Sequence, residues 1–204
     1  MTKSVRTLHA GALIGLLAAA SLLTGCAQSE PAASPTPAAT STESPSGTPP
    51  TEEQTAWAGD VCSSTATLKT DVQGLVSTAA AGGDDVSARL NTQMQTVKES
   101  ATVLADTIKA VPAGSEDDPE LAAVRDSSDD LSSSISDLES SVASVEGATG
   151  TDLVVALGSV ASDAGASLTA LAATVSAIGT AAADGTSTIG QAFDAAPECA
   201  SLTR

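Results

Sequence analysis

The chain has one histidine (His9), no tyrosine, one tryptophan and one phenylalanine, and only 8 lysines and arginines against 25 aspartates and glutamates in 204 residues. Each shortage excludes a class of function. His9 lies in a segment read below as a removed leader, so the mature chain has no imidazole. That removes a serine or cysteine nucleophile with a histidine base, and histidine-ligated zinc or iron. No Gly-rich phosphate loop, Cys-x-x-Cys pair or EF-hand spacing occurs. Without the leader, 6 basic residues face all 25 acidic ones, a net charge of −19. Lys69, Arg89, Lys98, Lys109, Arg125 and Arg204 are too few and too scattered to displace counterions from phosphates, so nucleic acid is excluded as a partner. The same charge repels anionic lipid headgroups. Hydrophobic residues still make up 42% of the chain, many of them alanine, enough for one modest domain and a tail.

What is present begins with an export signal. Lys3 and Arg6 precede an apolar stretch from Ala10 to Leu23 and small residues ending at Gly25. About 14 apolar residues at ~1.5 Å each reach about 21 Å, short of the roughly 30 Å hydrocarbon core that a permanent span must cross. The segment reads as cleaved. Leu23-Thr24-Gly25-Cys26 resembles the lipobox of bacterial lipoproteins. The resemblance implies a diacylglycerol group on the Cys26 thiol, cleavage before Cys26, and a chain held on the outer face of the cell membrane. Two or three acyl chains, at about 0.8 kcal/mol per buried methylene, give lasting attachment.

From Ala27 to Pro50 the composition turns to proline, serine, threonine and alanine, and six prolines break any regular element. This stretch reads as a disordered tether. It reaches about 74 Å if fully extended and nearer 27 Å as a flexible coil. The expected organisation is therefore a signal segment over 1–25, a lipidated Cys26 and linker over 26–50, and a folded domain over 51–204.

In that domain apolar residues recur every three or four positions, the period of a helix with one buried stripe. The second and third segments carry the cleanest seams: Leu90, Met94, Val97, Ala101, Leu104, Ile108 and Val111, then Leu121, Val124, Ser128, Leu131, Ile135, Leu138, Val142 and Val145. The first runs Trp57, Val61, Thr65, Leu68, Val72, Leu75 and Ala79. The fourth runs Leu153, Leu157, Val160, Ala164, Leu168, Leu171, Val175, Ile178 and Ala182. Thr51-Glu52-Glu53-Gln54 has capping-box spacing, Asp84 follows the Gly82-Gly83 break, and Asp118 precedes Pro119 as an N-cap before a first-turn proline. Stops fall at Gly82, Pro112-Ala113-Gly114, Gly147 with Gly150, and Asp184-Gly185. The expectation is an all-α fold: an antiparallel up-down-up-down four-helix bundle with a short final helix over Ser187 to Ala195.

That topology makes a prediction about the cysteines. Helix 1 starts where helix 4 finishes, so Cys62 and Cys199 should meet, and export to an oxidising compartment joins them. Trp57 and Phe193, just upstream of the two cysteines, should pack nearby. Trp57-Ala58-Gly59-Asp60-Val61-Cys62 and Ala192-Phe193-Asp194-Ala195-Ala196-Pro197-Glu198-Cys199 resemble the two ends of small secreted or lipidated helical proteins of actinobacteria. The resemblance implies the same fold and disulfide and carries no active site.

Carboxylates are the remaining reactive stock. Glu116, Asp117, Asp118, Glu120, Asp126, Asp129, Asp130, Asp137, Glu139 and Glu146 surround a lone Arg125. Asp126 and Asp130 lie one turn apart with Asp129 beside them, spacing for a weak calcium or magnesium site or, more simply, a solvated helix face. Neither a metal nor a cofactor is expected. The functional expectation is a non-catalytic interaction module that meets an envelope protein or wall component through its polar flanks or the loops near Ala81 to Asp84 and Glu146 to Thr151. One alternative is a carrier of a lipid or other apolar molecule between the helices. Another is an acid-dependent hydrolase, which requires a buried carboxylate pair in a cleft.

Overall fold

A computed structural model describes residues 48–202. The expected signal segment 1–25, Cys26 and the linker up to residue 47 lie outside the described residues. The described chain forms α1 (Glu52–Ala81), α2 (Val86–Lys109), α3 (Pro119–Ser144), α4 (Gly150–Ala183) and α5 (Thr188–Ala195), then a 3-10 turn over Cys199–Ser201. No strand occurs among the described residues, so the fold is all-helical.

The helices form a bundle because each buries one stripe. α1 packs on α2 and α4, and α3 packs on α4 and α2, while α5 sits against α1, α3 and α4. Every residue of the expected first and third stripes is buried, Ser128 included. In the second stripe, Ala101 of α2 and Val111 just past its end are only half-buried and lie against the core; the other five residues are buried. Burying a leucine, isoleucine or valine contributes about 1.5–3 kcal/mol relative to exposure, more than the few tenths lost at each serine on the outer face of α3.

α4 departs from expectation. Its buried centre is Ala156, Val160, Ala164, Ser167, Leu171, Thr174, Ile178 and Ala181, whereas Leu153, Leu157, Leu168, Val175 and Ala182 are half-buried at the flanks. The reason is close approach to α3. Ser167 Oγ donates to the Ser134 carbonyl oxygen at 3.2 Å, and Thr174 Oγ1 to that of Ser127 at 3.4 Å. At these two positions a small hydroxyl side chain lets α4 sit against the α3 backbone. Ser141 adds a hydrogen bond to Asp163. Across this seam partners descend along α4 as they ascend along α3. The same holds for α1 and α2, where Trp57 meets Thr107 and Asp71 meets Gln93 and Ser100.

Helix starts divide into two kinds. Thr51 and Gln54 close the expected capping box, Asp118 accepts from the Glu120 amide ahead of Pro119, and Ser187 accepts from the Gly190 amide. α2 differs from the reading at Asp84. Its N-cap is Asp85, with φ −98° and ψ 13° and no side-chain cap bond. A capping side chain turns back onto the helix from extended backbone, and Asp85 is not extended. Thr149 ahead of α4 also makes no side-chain cap bond.

The cysteine expectation holds. Cys62 and Cys199 are disulfide-bonded, with Cα atoms 5.1 Å apart across a sequence separation of 137.

Candidate functional site

The strongest convergence of side chains surrounds this bridge. Gln54, held in the capping box, donates from Nε2 to Ser115 Oγ at 2.7 Å in the interior. One turn on, Trp57 is 6% exposed and its Nε1 donates to the Thr107 carbonyl oxygen at 2.7 Å. Its ring centroid lies 5.5 Å from that of Phe193 with the planes tilted by 51°. Trp57 is therefore a core residue that anchors α5, not an open stacking platform. α5 itself fits closely: a Cβ on buried Gly190 would collide with the carbonyl oxygens of Asp184 and Ala181.

Beside this junction lie three carboxyl groups from two stretches, Asp118 and Glu120 at the start of α3 and Asp184 at the end of α4. Asp118, at the start of α3, accepts from the Glu120 amide through Oδ1 at 3.1 Å and from the Ile189 amide of α5 through Oδ2 at 3.4 Å. Asp184, at the end of α4, accepts from the Thr186 amide at 2.9 Å and hydroxyl at 2.6 Å. Glu120 lies between them, with Oε2 buried and facing no donor. Its pKa is raised to about 7, first because the side-chain hydrogen bond with Asp118 exists only while Glu120 keeps its proton, and then through burial. The bond to Asp184 and the charge of Asp118 push the same way, against the pull of a backbone amide. Asp184 is held below the usual carboxylate range by the Thr186 hydroxyl, the Thr186 amide and then Glu120.

Two acids driven in opposite directions are the raw material of acid–base chemistry. Here, however, Asp118 and Asp184 hold backbone amides at helix boundaries. The grooves between α2 and α3 and between α1 and α4 are lined without any of the three acids. Sequence reading counted Glu120 among the helix 3 acids and missed its pairing with Asp184, which has no local signature.

The other predicted positions are dispersed. Asp126, Asp129 and Asp130 are exposed, and no group of three or more metal-capable side chains occurs among the described residues. Lys98 pairs with Glu139 at 2.5 Å, both half-exposed, worth about 0–1 kcal/mol. Cys26, the expected lipidation site, lies outside the described residues. Gly83, Asp84, Glu146 and Thr151 in the two expected contact loops are exposed. Val154 and Val155 follow the second loop at 69% and 64% exposure, among the few large apolar side chains left open to solvent. The groove between α1 and α4 is lined by Leu168, Leu171, Val175 and Leu202, with Lys69 and Gln73 on its α1 side. α4 is long and apolar enough by length and composition alone to cross a bilayer, a test that the core helix of a soluble bundle also passes.

No known family model matches the chain, and no curated protein or solved structure is detectably similar to it.

Proposed function

We propose that the protein is an extracytoplasmic lipoprotein, fastened to the outer face of the cell membrane through acyl groups on Cys26, that presents a non-catalytic helical module to an envelope protein or wall component. In this reading residues 1–25 are the removed signal, 26–50 the tether and 51–204 the module. The lipobox-like Leu23-Thr24-Gly25-Cys26 supports the anchor, and the Cys62–Cys199 disulfide is the bond an oxidising compartment favours. The resemblance of both domain ends to small secreted helical proteins of actinobacteria points the same way. The four long helices run up-down-up-down, which the opposed order of partners across the α1–α2 and α3–α4 seams supports.

The observation that carries the interaction role is the placement of large apolar side chains. Most of the large apolar side chains line the inner stripes, while Val154 and Val155 stand in solvent next to the loop at 146–151. Exposed apolar groups beside a polar loop are the raw material of a contact surface.

Two measurements test the reading. An alkyne-bearing fatty acid fed to cells should label the wild-type chain and not Cys26→Ala, which should appear in the medium; an unlabelled wild type contradicts the anchor. Crosslinking in intact cells should capture one specific neighbour, lost in the double variant Val154→Asp/Val155→Asp. Absence of any neighbour contradicts the interaction role. A stoichiometric apolar ligand retained by the native protein in mass spectrometry replaces it with the carrier alternative, for which the α1–α4 groove is the place to look.

A further inference from the structure

We propose that the cleft between α1 and α4 binds a long-chain fatty acid, with the hydrocarbon lying along α4 and the carboxylate held by Lys69.

The cleft exists because α1 packs less extensively on α4 than on α2. Leu171 lies in it at 2% exposure, and Leu168 and Val175 stand half-buried one turn to either side. Leu202 adds a further apolar wall, brought there by the 3-10 turn that begins at the disulfide residue Cys199. The space amounts to about 320 Å³, at the lower end of the range that takes a small organic ligand. A hydrocarbon laid over these half-covered side chains leaves water together with them, so both surfaces contribute.

Charge selects the head group. Lys69 and Gln73 line the cleft one turn apart on α1, and both are exposed. Lys69 stands outside the Lys98–Glu139 pair, the one ion pair among the described residues. No carboxylate among the described residues lines the cleft, in a chain that has 25. The nearest acids along its two helices are engaged elsewhere: Asp71 accepts from Ser100 of α2, and Asp163 accepts from Ser141 of α3. Glu198 lies over Gly59, ten residues before Lys69 on α1. On a chain of net charge −17 the cleft is therefore a local positive spot over an apolar floor, which complements an anion with a hydrocarbon tail. A carboxylate brings one charge and can accept from both the Lys69 ammonium and the Gln73 amide. A phosphomonoester brings nearly two charges to a place with one cation.

Val154 and Val155 lie at least 13 residues, about 20 Å, back along α4, so the cleft and the contact surface proposed above are separate. The cleft is open to water along Lys69 and Gln73, and its ligand exchanges with solution. Binding in the cleft and capture of a protein neighbour succeed or fail independently.

Photoaffinity labelling of the wild-type protein with a diazirine-bearing dodecanoate at pH 8, mapped by fragment mass spectrometry, tests the proposal. Saturable label is expected on 168–175 or 199–202 and should be displaced by excess dodecanoate. Each methylene removed from the competitor should weaken displacement by up to about fourfold. Dodecyltrimethylammonium, the same chain with a cationic head, should compete about tenfold less well than dodecanoate. Lys69→Glu should lower labelling about tenfold at an unchanged melting temperature, because the side chain is exposed, and Lys69→Arg should retain it. No saturable label, or label confined to another part of the bundle such as the groove between α2 and α3, overturns the proposal. Undiminished labelling of Lys69→Glu, or equal displacement by the cationic amphiphile, overturns it as well.

Discussion

The neighbourhood of the disulfide and the turns that join α1 to α2 and α3 to α4 are held in different ways. Around the bridge, three helix starts carry side-chain caps from Thr51, Asp118 and Ser187. Segments distant in sequence are tied by Cys62–Cys199, Trp57–Phe193, Gln54–Ser115 and Asp118–Ile189. At the two turns, α2 and α4 start without a side-chain cap bond. There the bonds are local, from Gly82 to Ala79, Arg89 to Gly82 and Ala148 to Val145. Stability is thus concentrated where α5 closes the bundle, and the turns are left adaptable, which suits them to meeting a partner.

Substitutions sharpen this contrast. The largest effect should come from Cys62→Ala with Cys199→Ala. Opening so long a loop costs about 2–5 kcal/mol, read as a lower denaturation midpoint with a steeper slope, because the denatured chain expands. Next, Gly190→Ala should cost about 1–3 kcal/mol, because its Cβ meets backbone carbonyls that move only if α5 shifts. Gly158→Ala and Gly165→Ala on α4 should do the opposite. A Cβ there meets nothing within 4 Å, so each should gain about 0.8–1 kcal/mol of helix propensity. Thr51→Ala should lose about 1 kcal/mol, a fall in Tm of about 2–4 °C, whereas Asp85→Ala should stay within a few tenths. Equal losses from Thr51→Ala and Asp85→Ala would break the comparison.

The stripes of α1, α2 and α3 were legible because serine, threonine and charged residues interrupt them sharply, so the helical period stands out. In α4 only Val160, Ala164, Leu171 and Ile178 of the expected stripe are buried, and most of the remaining positions shift to a neighbouring residue, for the opposite reason. Alanine, glycine and valine surround it, the pattern has little polar contrast, and the choice of inner face fell to steric fit against α3. Val160, Leu171 and Ile178 do sit at the centre, but Ala156, Ser167 and Thr174 share it in place of Leu157, Leu168 and Val175, where Ser167 and Thr174 bond to the α3 backbone. The disulfide was legible through topology. The meeting of Glu120 with Asp184 was not, since it depends on where α4 ends relative to the start of α3 and on no local spacing.

The claim that the account stands on is that the disulfide end is the locked end. Residue-resolved hydrogen exchange of the oxidised protein at pH 5 tests it most directly. Amides of 57–62 and 189–193 should exchange only on global unfolding, orders of magnitude more slowly than those of 82–86 and 145–151. Exchange in α5 as fast as in those two turns would contradict it.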